Sequence, residues 1–145
     1  MAGVPRILGI DFGTKRIGLA LSDPLGFTAQ GLETLAVQNK RKTLEYLSKL
    51  CSDLKVEEVV VGLPVNMNGT LGPKAEETKS WVEKLKAVLN IPVNTWDERL
   101  TSREADRFMV EAGLSRARQK QESDRLAATL ILQNYLESKR SRSQK

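Results

Sequence analysis

Five consecutive positions, Val59-Val60-Val61-Gly62-Leu63, carry no polar side chain. A strand with one face in water alternates apolar and polar residues, so this run predicts a central parallel strand covered on both faces. Parallel neighbours need crossover connections, usually helices, and the flanking segments supply them. From Asn39, an expected N-cap, Leu44, Leu47, Leu50, Cys51 and Leu54 recur at helical spacing. Beyond the run, a loop over 64–73 rich in Asn, Gly and Pro leads to a second helix over 75–89, marked by Trp81, Val82, Leu85 and Leu89.

The remaining segments complete a mixed sheet. Val4 to Phe12 reads as a buried strand, and Gly13-Thr14-Lys15 turns into a second strand, Arg16 to Ser22, as an antiparallel hairpin. Asp23-Pro24-Leu25-Gly26 is a further turn, with Asp23 organising it, before a less regular strand from Phe27 to Val37. A short strand, Pro92 to Trp96, comes late. Thr101-Ser102-Arg103-Glu104 matches a capping box for a helix that Gly113 closes. Ser123 to Tyr135 reads as the final helix. The expectation is α/β: a mixed five-stranded sheet with flanking helices, in one domain over 1–138, and a basic, disordered tail over 139–145.

Composition narrows the chemistry. The 145 residues include no histidine and one cysteine, Cys51. This excludes Ser-His-Asp and Cys-His mechanisms and the usual zinc ligands, and it leaves carboxylates for any hydrolysis. Carboxylate oxygens select hard cations such as Mg²⁺ or Mn²⁺. Cys51 sits inside the first helical pattern as a packing residue and fits a reducing cytoplasm. No apolar run approaches the roughly 20 residues needed to span a bilayer, and the start lacks the layout of a signal peptide, so a soluble cytoplasmic protein without membrane contact is expected. The formal charge of +5 permits attraction to a polyanion. Aromatic content is only 5%, which suits backbone and shape recognition better than base stacking, with Trp81 and Trp96 expected in or near the core.

Ligands in open α/β sheets bind beyond the carboxyl ends of the strands. Asp11 follows an apolar strand there, and a buried charge costs several kcal/mol unless it is paired or metal-bound. Glu98 follows the strand Pro92 to Trp96, although polar residues after a strand are common. Asp124 opens the last helix on the side of Ala127, Ala128, Ile131 and Tyr135; alone, it is accounted for as an acid favoured by the helix dipole. Lys15, Arg16 and Arg99 lie beside these acids and suit phosphate oxygens, with internal ion pairing the alternative, favoured for Arg99. Asp97 is expected to cap or pair locally. Asn66 and Gly69 belong to a loop that is either a phosphate cradle or a structural turn.

Together, Ile10-Asp11-Phe12-Gly13-Thr14-Lys15, Gly62-Leu63-Pro64, Asn66-Met67-Asn68-Gly69-Thr70, Asp97-Glu98-Arg99-Leu100-Thr101 and Ser123-Asp124, leading into Ala127-Ala128 and Ile131-Leu132-Gln133, resemble the YqgF/RuvX family of Holliday junction resolvases. The resemblance spans nearly the whole chain in order. It implies a ribonuclease H-like fold and a hydrolase, a nuclease in which Asp11, Glu98 and Asp124 bind Mg²⁺ or Mn²⁺ and act on nucleic acid. The implied role is 5′-end maturation of pre-16S rRNA, in ribosome biogenesis and in association with the ribosome; the alternatives are resolution of branched DNA, as a homodimer, and a noncatalytic nucleic-acid or ribosome-binding module. Asp11 to Gly18 also resembles the first phosphate motif of sugar kinases and actin-like ATPases, but the chain is too short for their two lobes.

Overall fold

The computed structural model describes residues 4–100 and 116–143, with side chains over 4–99 and 125–140. Strands β1 (Arg6–Asp11) and β2 (Arg16–Ser22) form the expected hairpin, and β3 (Ala29–Ala36) pairs antiparallel outside β2. Helix α1 (Lys40–Asp53), capped by the Asn39 side chain, crosses to β4 (Val56–Leu63), which lies parallel beside β1. Helix α2 (Pro73–Val88) crosses to β5 (Val93–Asp97), parallel to β4, and a 3₁₀ turn, Glu98–Leu100, follows. Helix α3 (Arg116–Ser143) ends the described chain, and the sheet order is β3-β2-β1-β4-β5. The helix expected from Thr101 to Gly113 lies outside the described residues.

The apolar run in β4 has the predicted cause. Val59 and Val61 join Leu8, Ile10 and Leu19 against Leu47 of α1 and Trp81 and Leu85 of α2. Val60 joins Ile7 and Ala20 on the other face, against Ala128, Ile131, Leu132 and Tyr135 of α3. Because both faces are covered, water solvates neither, and no polar alternation is tolerated. Helix α3 approaches bare backbone at Gly9, where a Cβ would lie 2.8 Å from the Leu132 Cβ and 3.1 Å from the Ala128 carbonyl oxygen.

Helix α3 starts at Arg116, ahead of the expected Ser123, and runs beyond Tyr135 to Ser143. Residues 139–143, read from the sequence as disordered tail, therefore continue the helix. Two contacts account for this. Lys139 Nζ lies 2.7 Å from Glu58 Oε1, and Arg140 sits over the Phe27 ring while donating to the Phe27 carbonyl at 3.1 Å. Gln133 fastens the same helix to the start of β3, donating to the Phe27 carbonyl at 3.0 Å and accepting from the Ala29 amide at 2.9 Å.

Glu58 is a buried acid near the start of β4. Burial pushes its carboxyl upward, but Lys139, the Tyr135 hydroxyl and Asn94 Nδ2 all donate to it and hold it below the usual carboxylate range. This network ties α3 to the edge of the sheet where the parallel strands begin. Asp23 organises its turn as expected, its Oδ1 accepting from the amides of Phe27 and Thr28 at 2.7 and 3.0 Å. Among the described residues, no helix is long and apolar enough to cross a membrane.

Candidate active site

Strands β1, β4 and β5 are parallel, so their carboxyl ends share one edge of the sheet. β1 ends at Asp11, which is half-buried and opposite Gly18 of β2. Ile10 pairs with Val61, which brings Gly62 of β4 level with Asp11 on the neighbouring strand. Side chains alternate along a strand, so Asp11 shares the α3 face with Ile7 and Gly9.

On the far side of Gly62, Trp96 pairs with it and Asp97 with Leu63, and Glu98 follows in the 3₁₀ turn. Glu98 folds back over β4. A Cβ built on Gly62 would lie 2.8 Å from both Cγ and Oε1 of Glu98, and 2.4 Å from Ile131 Cδ1. The space that a side chain at position 62 would need is the space that the Glu98 carboxylate occupies. Two acids thus stand over adjacent strands at one edge and on one face.

Asp124 lies within α3 instead of at its start, because the helix begins at Arg116. Its side chain is outside the described set. The helix runs antiparallel to β4: Tyr135 meets Glu58 and Ile131 meets Gly62, so residues earlier in α3 lie toward the carboxyl edge. Position 124 is about one helical turn before Ala128, which packs on Gly9. Among the described residues, no group of three or more His, Cys, Asp or Glu side chains is gathered closely enough to enclose a metal ion. At this edge Asp11 ends β1 and Glu98 folds over the adjacent β4, while Asp97 beside Glu98 is engaged by Arg99.

The turn carrying Glu98 is held by its neighbours. Arg99 Nη2 lies 2.7 Å from Asp97 Oδ2, its Nε donates to both carboxylate oxygens, and its amide donates to Oδ1 at 2.9 Å. Those hydrogen bonds hold the Asp97 carboxyl below its usual range, and the same contact raises the guanidinium. Arg99 Nη1 also donates to the Met67 carbonyl at 3.3 Å, which links this turn to the β4–α2 loop. In that loop the Asn66 amide donates to the Thr70 carbonyl and the Gly69 amide to the Asn66 carbonyl, while Asn68 Oδ1 accepts from Thr70. The amides of Asn66 and Gly69 are therefore engaged within a structural turn. Lys15 is exposed in the turn after Asp11, and Arg16 is half-buried where β2 begins.

The local pairing expected of Asp97 and the internal ion pairing favoured for Arg99 are one contact, while the gap at Gly62 that receives Glu98 is a contribution the sequence reading did not assign. A glycine inside an otherwise β-branched run was the available indication, since it marks a close approach.

A model of the RuvX family, described as Holliday junction resolvase, matches residues 5–138. A Syntrophomonas wolfei protein named "Putative pre-16S rRNA nuclease" is 53% identical over 132 residues, covering 91% of this chain and 94% of that protein. A Listeria monocytogenes protein of the same name is 50% identical over 135 residues, covering 92% and 98%. Among solved structures, Thermus thermophilus RuvC in complex with a Holliday junction substrate superposes with a TM-score of 0.59 at 18% identity, over 94% of this chain and 96% of that one. The fowlpox virus resolvase in complex with Holliday junction DNA gives 0.55 at 13% identity, over 92% and 97%. These two likenesses establish the shared fold, that of the ribonuclease H-like resolvases.

Proposed function

The chain belongs to the RuvX family, described as Holliday junction resolvases, and on that premise we propose that it is a metal-dependent nuclease hydrolysing phosphodiester bonds at the edge bearing Asp11, Glu98 and Asp124. The observation that carries this reading is Glu98 folded over Gly62 beside Asp11, in a chain without histidine. A donor set made of carboxylate oxygens suits Mg²⁺ or Mn²⁺. Asp11, Glu98 and Asp124 are the residues that would hold such ions, which when bound activate water and neutralise charge on the phosphoryl group.

The rest is work for the protein's own residues. The gap at Gly62 fixes the position of Glu98, and the Asp97–Arg99 clamp stiffens the turn that carries it. Lys15 and Arg16, next to Asp11, bind phosphate oxygens of the strand. Arg99, committed to Asp97, steadies the loop of Asn66 and Gly69, whose outer surface flanks the substrate. The net charge of +5 raises the rate of encounter with a polyanion.

The name shared by the relatives directs the substrate reading to the 5′ end of pre-16S rRNA, processed in the cytoplasm on ribosomal precursors. The family description favours one second reading, a branched DNA junction cut by a homodimer. Labelled precursor rRNA and a four-way DNA junction, each incubated with the protein and Mg²⁺, distinguish them. Preferential cleavage of the RNA is expected; preferential cleavage of the junction by a dimer would replace the RNA reading, and inertness toward both would overturn the nuclease.

A further inference from the structure

On the sheet face opposite the acids, α1 and α2 border a cavity of about 200 Å³. Phe12 and Trp81 line it, their rings stacked with centroids 4.5 Å apart and planes 24° from parallel. Lys40 from the first turn of α1, Lys84 and Glu77 from α2, and Thr14 from the β1–β2 turn complete the features that matter. Both lysines are exposed and have no ion-pair partner among the described residues. Phe12 directly follows Asp11, so the cavity lies at the same sheet edge as the acids.

The volume decides between ligand classes. Sites for drug-sized ligands occupy roughly 300–1,000 Å³, so this cavity takes a single ring system and excludes a dinucleotide or larger cofactor. The half-buried Phe12 ring, backed by the buried Trp81 on which it stacks, is the aromatic surface that the cavity offers to a nucleobase, because every base presents a π-face. The two uncommitted ammonium groups suit its phosphate, and the Glu77 carboxylate accepts from an exocyclic amine. A base still paired in a duplex cannot enter a space of this size.

We propose that this cavity is a subsite for one unpaired nucleotide of the substrate strand, its base against the Phe12 ring that rests on Trp81 and its phosphate against Lys40 and Lys84. The proposal rests on the nuclease reading for its substrate and extends it to a preference for strands that carry an unpaired base.

The test reads binding without cleavage. In a Trp96→Phe background, Trp81 is the sole tryptophan, and the exchange removes no hydrogen bond to any described residue. With EDTA present, a single-stranded RNA oligonucleotide is expected to quench Trp81 emission, and a duplex of the same sequence much less. Lys40→Ala/Lys84→Ala is expected to raise Kd about tenfold with the circular dichroism spectrum unchanged. Absence of quenching, equal quenching by the duplex, or an unchanged Kd in the double variant overturns the subsite. Quenching by a mononucleotide but not by the strand would assign the cavity to a free ligand and also overturn it. Asp11→Asn should retain the quenching whatever the cleavage assays return, so failure of the subsite and failure of the nuclease are separable.

Discussion

Gly62→Ala tests how the proposed site is held. The added methyl would stand 2.4 Å from Ile131 Cδ1 and 2.8 Å from Cγ and Oε1 of Glu98. Reaching an ordinary contact of 3.4 Å requires the Glu98 atoms to retreat by about 0.6 Å and the Ile131 methyl by about 1.0 Å. Overpacking of this kind costs roughly 1–3 kcal/mol, read from urea denaturation. Catalytic groups tolerate displacement of only about 0.5 Å, and a misplacement near 1 Å can cost on the order of 10²-fold, so cleavage should fall by roughly ten- to a hundredfold. The second substitution Ile131→Val separates the two effects, because it deletes the methyl that clashes most. In the double variant, stability should recover most of what Gly62→Ala removed, while activity stays low because Glu98 is still displaced. If Gly62→Ala cleaves at the normal rate, or if Ile131→Val restores activity along with stability, then the gap at Gly62 does not position Glu98 and the reasoning fails.

The Glu58 network predicts a pH dependence of stability. Its folded carboxyl titrates below the ordinary 4.5, so its contribution is complete above that value and is lost as pH falls through the folded one. Tyr135→Phe removes a donor to this buried charge, which should cost about 1.5–3 kcal/mol near neutrality and shift acid unfolding, followed by circular dichroism, to higher pH. Cys51 is buried in α1, and burial pushes its thiol up to about 11; alkylation at pH 8 should be negligible in the native protein and rapid once it is unfolded in urea. Lys55, just past the end of α1, holds φ at +55°, a conformation that suits glycine; Lys55→Gly should raise stability by roughly 0.5–1 kcal/mol in the same denaturation assay.

The elements that the sequence made legible are those whose residues answer to neighbours close in the chain or to a uniform surrounding. Val59 to Val61 announces burial on both faces, Asn39 caps its own helix, and Asp23 bonds the amides four and five residues ahead. The end of α3 was not legible, because its apolar stripe stops at Leu136 while the helix is sustained by Lys139 reaching Glu58 and Arg140 covering Phe27, partners far away in sequence. β4 begins at Val56, ahead of the apolar run read from the sequence, and its buried Glu58 is sustained by donors distant in the chain, Asn94, Tyr135 and Lys139. At the site, the strand ends drew attention to Asp11 and Glu98. That Glu98 rests on Gly62 depends on strand register and on the Asp97–Arg99 clamp, which pattern alone does not specify. The Phe12–Trp81 cavity joins a strand end to the middle of a helix, and no local pattern reports such a contact.

The central claim is that carboxylates at this edge hold the ions that cleave nucleic acid, and cleavage by Asp11→Asn tests it most directly. The amide keeps the shape of the side chain and removes its charge. Wild-type and variant proteins, first shown equally folded by circular dichroism, are incubated with labelled precursor rRNA in Mg²⁺, Mn²⁺ or EDTA. The account predicts metal-dependent cleavage by the wild type, none in EDTA, and a loss of at least about a hundredfold in the variant. Equal cleavage by the two proteins, or cleavage that persists in EDTA, would contradict it.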